Sequence, residues 1–394
     1  MDYVYLGFVM TVIPLFFILV SGKFDLFSPA SLHVLSWTIL FFSGILVGNK
    51  FYPLNLDTFI IFLVWYIVAG LMFFVMYFSQ NQNNNYIILK KYEIKYIKIL
   101  SLMALICCFV TFFEILKVGF GGPNHFFLNL RLSLFLEDYT GPRYIITPII
   151  YLFLTPLFAI ALMCENSKKL LFLLIFWQFL FVISSMGKFS ILTPFLIYVV
   201  IKYAGKKIKI KISRIFLLSG ALGFLFFFIN MIRGGQDTES ENILTTLGSY
   251  TYSPLLALGE IQVCDNCNFG QYTFRFFYAI CYKLGLILHP PVNTILDYAY
   301  VPFPTNVYTV IQPFYFDFGL YGVFYGALFY GTFYSLIYFK LKQEGSIFLV
   351  IYALFSVSLL SSFLGETLLT NFALTLYLIG IALLFWKGVV IEKR

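Results

Sequence analysis

Long apolar runs separated by short polar stretches occupy most of the chain. Each run has about 17 to 25 residues, the length that an α-helix needs to cross the hydrocarbon core of a bilayer. Strands of a membrane barrel would instead show about 10 residues of alternating character, so we expect helices. The pattern predicts an all-α polytopic membrane protein with about 11 transmembrane helices, within a range of roughly 10 to 12. The predicted spans are residues 4–20, 31–48, 57–79, 99–116, 144–163, 170–185, 189–204, 215–232, 310–338, 346–364 and 369–386.

Two longer polar segments interrupt this pattern, at 117–143 and 233–309. The first contains a Gly-Gly-Pro turn and then a sequence that predicts a short interfacial helix around 124–137. Within the second, residues 272–288 are apolar but carry two basic side chains, which predicts a re-entrant or surface helix and not a span. We therefore expect a single integral membrane domain over 1–394 with two large loops on one face.

The composition agrees with a membrane protein, since 61% of residues are hydrophobic and only 11% are charged. No water-soluble globule has this balance. The formal net charge of +8 resides largely on lysines beside the predicted spans, which indicates membrane topology and not nucleic-acid binding. No cofactor is indicated.

Basic residues divide unevenly between the two sides of the predicted topology. The side that holds 18 of the 26 basic residues is predicted to be cytoplasmic, because lysine and arginine accumulate there. This puts the amino terminus outside and the carboxyl terminus inside. The first apolar run lacks a basic segment before it and a small-residue cleavage site after it, so we expect it to be retained. The basic residues on the outer side are Lys50, Lys117, Arg131, Arg143, Lys188, Arg233, Arg275 and Lys283.

Arginine beside lipid suggests phosphate recognition. The guanidinium group donates two parallel hydrogen bonds to a phosphate and stays charged when it is partly desolvated. We expect Arg131, Arg233 and Arg275 to bind a lipid pyrophosphate, with Arg143 and Lys188 in supporting roles. Anchoring of single arginines in the headgroup layer is the alternative.

Four outer residues are candidates for a general base: His289, Asp297, Asp317 and Glu260. His289 is preferred, because it ends an apolar stretch and precedes a rigid Pro-Pro turn near the predicted membrane surface. A structural hydrogen-bonding role is its alternative. Asp317 lies at the start of a span, where it could instead pair with an arginine.

Two further carboxylates, Glu114 and Glu366, lie near the outer ends of predicted spans. Each could take part in function or cap a helix. The chain has no Asp-x-Asp pair, no metal-ligand spacing of histidine and carboxylate, and no glycine-rich nucleotide loop. Metal- and nucleotide-independent chemistry is therefore expected. For Cys264 and Cys267, a local disulfide is favoured over a zinc site, with two free thiols as the third possibility.

The stretch Thr305–Gly331, TNVYTVIQPFYFDFGLYGVFYGALFYG, resembles the signature of bacterial oligosaccharide repeat unit polymerases, the O-antigen polymerase (Wzy) family. In that family an Asn-Val-Tyr-Thr segment and an Asp-Phe-Gly follow the large outer loop and open the next span. Three other pieces follow the same order: Asn129-Leu130-Arg131, SSMGKFSILTP at 184–194 and GSYTYSPLLALGE at 248–260. Both outer loops have nine residues between arginine and glycine, whereas the motif described for the family has ten.

The resemblance implies a membrane glycosyltransferase of the bacterial inner membrane with its active face in the periplasm. Its substrate would be an undecaprenyl-pyrophosphate-linked oligosaccharide, and its partners the membrane lipid, a chain-length regulator and a flippase. A growing sugar chain would be transferred from one lipid carrier to the next lipid-linked repeat unit. An acceptor base and a group of arginines suit that chemistry.

Other classes of membrane protein remain alternatives. A polysaccharide ligase would use the same arginine chemistry with a different acceptor. A flippase or transporter of lipid-linked oligosaccharide would be expected to have internal repeats and charged or broken helices near mid-membrane. A non-enzymatic assembly partner would not need a group of outer arginines.

Overall fold

A computed structural model describes residues 3–21, 25–79, 92–136, 138–204, 243–263, 268–293, 296–344 and 346–391. The predicted span 215–232 lies outside these residues, and so do Arg233, Cys264 and Cys267. The described chain forms two compact units. Unit 1 comprises Met1–Tyr86, Ser240–Glu344 and Ser358–Leu376, and unit 2 comprises Ile87–Glu239, Gly345–Val357 and Tyr377–Arg394.

Helices make up most of the described chain, as the sequence pattern predicts. In order they are α1 Tyr3–Ser21, α2 Pro29–Val47, α3 Leu56–Ser79, α4 Ile97–Gly121, α5 Phe126–Phe135, α6 Thr147–Ala161, α7 Lys168–Ser185, α8 Lys188–Tyr203, α9 Ile243–Thr251, α10 Ser253–Gly259, α11 Arg275–Lys283, α12 Gln312–Glu344, α13 Ser346–Leu360 and α14 Phe372–Trp386. Two short antiparallel pairs join β1 Tyr92–Ile94 to β4 Val389–Ile391 and β2 Ala299–Tyr300 to β3 Pro304–Thr305.

Six helices of the described chain are long and apolar enough to cross a bilayer: α1, α2 with the turn after it, α3, α4, α7 with the turn before it, and α12. Four more apolar helices, within α6, α8, α13 and α14, have 10–17 residues. The fold class is thus that of a mostly helical membrane protein, while the number of eleven spans stays a prediction. Helix α6 is shorter than the predicted span 144–163, because residues 144–146 and 162–163 lie outside the helix.

Local signals explain several helix starts. Ser28 caps α2 by accepting a hydrogen bond from the Ser31 N–H, and Pro29 occupies the first helical position, where its missing N–H costs nothing. Before α3, the side-chain oxygen of Asn55 accepts a hydrogen bond of 2.7 Å from the Thr58 N–H. These signals agree with the predicted starts at 31 and 57 to within two residues.

The core of unit 1 lies between α3 and α12. Trp65 on α3 is buried, and its ring centroid lies 5.6 Å from that of Phe314 and 5.3 Å from that of Tyr330, both on α12. The glycines of α12 allow this packing, since a Cβ on Gly331 would lie 2.5 Å from Met72 of α3. Aromatic side chains with small residues opposite them therefore join these two helices.

Glu114 and Glu366 both accept hydrogen bonds from backbone N–H groups: Glu114 caps the start of α6, as its structural alternative predicts, and Glu366 closes the turn just before α14. Glu114 of α4 accepts hydrogen bonds from the N–H groups of residues 145–147 and from the Thr147 hydroxyl, at the start of α6. Glu366 accepts bonds from the N–H groups of residues 368–370, from the Thr370 hydroxyl and from the Tyr330 hydroxyl. A carboxylate at a helix N-terminus satisfies free N–H groups and complements the helix dipole.

Candidate functional site

Asp317, one of the predicted base candidates, joins α12 to the segment that leads into α11. Its carboxylate accepts hydrogen bonds from the Tyr272 N–H at 3.2 Å and from the Thr273 N–H at 2.7 Å. The Thr273 hydroxyl in turn donates to the carbonyl of Pro313. Its two backbone partners favour a structural role for Asp317 over pairing with an arginine.

The two residues after Asp317 complete this junction. Phe318 lies with its ring centroid 5.0 Å from Phe269 and 6.4 Å from Phe274. Gly319 has φ +60° and ψ −147°, a conformation that L side chains rarely adopt, and this kinks α12. The Asp-Phe-Gly sequence thus supplies a cap, a packing ring and a kink, which together hold the outer segment against the start of α12.

A cleft of about 250 Å³ opens beside this junction. The side chains of Asn268, Gln271 and Tyr278 line it together with the segment 287–292, which includes His289. We call it the outer cleft. Its volume is below the roughly 300–1,000 Å³ of pockets for drug-sized ligands, so a ligand of this cleft would be small. Its lining combines apolar residues with two amides, an imidazole and the Tyr278 phenol, whose hydroxyl already donates to the carbonyl of Phe269.

Arg275 opens α11 and is oriented toward the same segment. Its Nε donates a hydrogen bond of 2.6 Å to the carbonyl of Val292, a residue of the outer cleft. Partial burial lowers the pKa of this guanidinium from its usual value, and no carboxylate of the described chain forms an ion pair with it. An arginine that is held by a backbone carbonyl and forms no ion pair within the described residues suits an anionic ligand.

Asp297 lies close to two tyrosines of this region. The Tyr308 hydroxyl donates a hydrogen bond of 2.9 Å to the Asp297 carbonyl. Burial and then the negative charge of Asp297 raise the pKa of both Tyr308 and Tyr272. The Asp297 side chain is exposed and could therefore reach an acceptor hydroxyl. The carboxylate of Asp317, in contrast, is partly buried and bonded to backbone N–H groups.

His289 and Glu260 are also exposed, but in different places. His289 lines the outer cleft. Glu260 ends α10, and the neighbouring Gly259 packs against Thr58 of α3. The described contacts therefore bring Arg275, His289, Asp297 and Asp317 to one region of unit 1, and they do not bring Glu260 into the outer cleft.

A second candidate region lies in unit 2, where Arg131 on α5 meets the turn between α7 and α8. A Cβ built on Gly187 would lie 3.8 Å from Nη1 of Arg131. Gly187 is the N-cap of α8, and no side chain caps this helix. The hydroxyls of Ser185 and Ser190 lie 2.5 Å apart in the same turn. A guanidinium beside an uncapped helix N-terminus concentrates positive potential, which suits a phosphate.

The loop before Arg131 is rigidly hydrogen-bonded. Asn129 is fully buried, and its side-chain amide donates to the carbonyls of Gly119 and Asn124 while its oxygen accepts from the Asn124 N–H. The observed helix α5 confirms the short helix predicted around 124–137. Asn129 thus fixes the start of the helix that carries Arg131.

The remaining predicted phosphate ligands differ in their surroundings. Arg143 is exposed, and its Nη2 donates to the carbonyl of Leu136 within its own loop. Lys188 begins α8 beside Gly187, but its side chain lies outside the described part of the structure. Arg131 and Arg275 belong to different units.

Sequence reasoning missed several polar residues of these regions. Asn268, Gln271 and Tyr278 carry no motif, and they were not distinguishable from other loop residues. Nothing in the sequence 184–190 indicates that the hydroxyls of Ser185 and Ser190 meet beside a helix start. In the described residues no group of three His, Cys, Asp or Glu side chains is arranged to hold a metal ion.

Comparison with known proteins adds no relative, because no family model, no curated protein and no solved structure matches the chain.

Proposed function

We propose that this membrane protein polymerises undecaprenyl-pyrophosphate-linked oligosaccharide repeat units at the outer face of a bacterial inner membrane. The reaction is a glycosyl transfer in which the lipid pyrophosphate is the leaving group. The proposal comes from the resemblance of Thr305–Gly331 to the O-antigen polymerase family, and the chemistry of the two candidate regions supports it.

The observation that carries the proposal is the position of Arg131 beside the N-terminus of α8. A guanidinium and a helix N-terminus lie together there, and both favour an anion with several oxygens. The pyrophosphate of a lipid carrier has this character, and Lys188 begins the same helix. In the proposal Arg131 binds the pyrophosphate of a lipid-linked substrate.

The outer cleft would receive the acceptor sugar. His289 removes the proton from the acceptor hydroxyl as its oxygen attacks the anomeric carbon of the donor chain. The new glycosidic bond forms while the bond from the anomeric carbon to the pyrophosphate oxygen breaks, and the pyrophosphate leaves with the electron pair. Asp297 is the second candidate for the base, because its carboxylate is exposed in the same unit. Arg275 would hold an anionic group of the lipid-linked substrate beside the cleft.

The function is tested by deleting the gene in its host and separating the surface polysaccharide by electrophoresis. A polymerase predicts that one repeat unit remains on its acceptor and that the ladder of longer chains disappears. Restoration of the ladder by the intact gene on a plasmid is the control.

Other outcomes favour other functions. Complete loss of even the single repeat unit favours a polysaccharide ligase or a flippase of lipid-linked oligosaccharide. An unchanged ladder contradicts all three functions. A chain-length regulator and a flippase are the proposed partners of the polymerase.

A further inference from the structure

The chain that follows α11 exposes an unusual run of apolar side chains. Leu284, Leu286 and Leu288 are 68%, 70% and 91% exposed. Gly285 lies between the first two with φ +71°, and a Cβ on it would meet no atom within 4 Å. We call residues 284–288 the leucine tip. Single exposed leucines are common, but three at one loop end form an apolar patch that would be unfavourable in water.

The contacts of α11 place it level with the starts of two apolar helices. Phe276 of α11 lies with its ring 5.4 Å from Phe372, the first residue of α14. Just before α11, Phe274 contacts Phe318 in the first turns of α12. Spanning helices begin near the boundary between water and hydrocarbon. Helix α11 with its nine residues is about 14 Å long, too short to span a bilayer, so it lies at this boundary.

Apolar side chains are also exposed around the kink of α12. Phe269, which packs against Phe318, is exposed, and so are Leu320, Tyr321 and Phe324 on α12. Large apolar side chains on the outside of a spanning helix face lipid. Unit 1 thus exposes apolar side chains both at the leucine tip and near the kink of α12.

Charge distinguishes lipid from a second copy of the chain as the occupant. The leucine tip is flanked by Lys283, which is exposed, and α11 begins with Arg275. Residues 268–293 contain no aspartate or glutamate. A symmetric contact between two leucine tips would bring the Lys283 side chains of the two copies toward each other. A lipid leaflet offers acyl chains to the apolar side chains and phosphate headgroups to the cations beside them.

We propose that the leucine tip inserts into the adjacent lipid leaflet, with its side chains among the acyl chains and Lys283 at the level of the phosphates. Since Ile287 and Leu288 also line the outer cleft, insertion would hold the cleft at the surface of the leaflet. A ligand bound in the cleft would then lie at the level of the lipid headgroups. The insertion does not depend on the transferase activity and can be tested without it.

The test uses the full chain in native membranes with the photoreactive residue p-benzoylphenylalanine at one position at a time. Positions 286 and 288 probe the tip, and Asn293, which is exposed and polar, is the matched control. These exposed sites need no repacking of the core, and the amount of membrane-inserted protein is measured by immunoblot. After irradiation, mass spectrometry of the purified chain identifies the adduct.

Insertion predicts phospholipid adducts at positions 286 and 288, in a yield several times that at position 293. Adducts to a second copy of the chain would replace the proposal with a self-interface. Adducts to another protein would replace it with a partner-binding loop. Equal lipid yields at all three positions, or none at 286 and 288, would reject insertion of the tip.

Discussion

The backbone N–H of Thr273 donates a hydrogen bond of 2.7 Å to the carboxylate of Asp317. This bond joins residues that are 44 positions apart and holds the segment before α11 against the start of α12. It makes the acidic residue of the Asp-Phe-Gly sequence a cap for the neighbouring segment. The position of Arg275, two residues after Thr273, depends on it.

Removal of this cap is expected to destabilise the protein. Asp317→Ala leaves two N–H groups without their acceptor, and loss of a side-chain cap costs about 0.5–2 kcal/mol. We expect a lower unfolding temperature in detergent and faster proteolysis between residues 268 and 293. Asp138→Ala, at an exposed loop position, is the control. If Asp317→Asn abolished polymer formation and left the unfolding temperature unchanged, Asp317 would be a base and not a cap.

The kink of α12 gives a second prediction. Gly319→Ala introduces a Cβ at φ +60° and ψ −147°, a region that only glycine adopts readily, which costs about 1–3 kcal/mol, and it should also weaken the contact of Phe318 with the outer loop. Gly380 of α14 is the matched control, because a Cβ there meets no atom within 4 Å and its φ is ordinary.

Gly380→Ala should leave the protein unchanged or stabilise it by about 0.5–1 kcal/mol, since alanine is the better helix former. Thermal unfolding of both purified variants measures the difference. Equal effects of the two substitutions would contradict the strained kink.

If Arg131 binds pyrophosphate, formation of the polysaccharide ladder should depend on the shape of its side chain as well as on its charge. Arg131→Gln should abolish the polysaccharide ladder, and Arg131→Lys should reduce it strongly, because lysine cannot donate a parallel pair of hydrogen bonds. Lys117→Gln, at an exposed basic residue near the end of α4, is the control and should retain the ladder. Complementation of the deletion strain, with membrane expression verified, measures the result. A normal ladder from Arg131→Gln would remove Arg131 from the site.

Arg275 is predicted to act through the outer cleft. Arg275→Gln should reduce the ladder, and His289→Gln should reduce it further, since the base is proposed to act in the chemical step. Lys283→Gln on the same helix is the control. Retention of normal polymer by both Arg275→Gln and His289→Gln would show that the outer cleft has no part in the reaction.

Buried tyrosine hydroxyls with and without a hydrogen-bond partner should differ in their effect on the free energy of unfolding. The hydroxyls of Tyr139 and Tyr144 are buried without a hydrogen-bond partner in the described residues. Removing such a group should be neutral or stabilising by up to about 1 kcal/mol. The Tyr330 hydroxyl, in contrast, donates to Glu366, and loss of a bond to a charged group costs about 1–3 kcal/mol.

Thermal unfolding of Tyr139→Phe, Tyr144→Phe and Tyr330→Phe therefore should separate the first two from the third. A marked loss of stability in Tyr139→Phe would mean that its hydroxyl has a partner after all.

Sequence pattern alone determined the class of the protein and the approximate positions of most helices. Apolar runs of sufficient length must form helices in lipid, because each helix satisfies its own backbone hydrogen bonds. For the same reason the short helices within both outer loops could be predicted: apolar residues with embedded charges allow a surface helix but not a span. The start of α6 does not follow from the local pattern, because Glu114, which is 33 residues before Thr147, helps to fix it.

Only the tertiary structure decided which polar residues meet. Glu114 and Thr147, or Asp317 and Thr273, lie more than thirty residues apart, and no local spacing encodes such pairs. The same holds for Arg131 and the turn at Gly187. Asp317 resembled a catalytic carboxylate in the sequence because its residue type and motif suggested chemistry, whereas its hydrogen bonds to backbone N–H groups favour a structural role. Burial and partners are properties of the packed chain, and the outer cleft with Arg275 and His289 exists only where that packing brings its walls together.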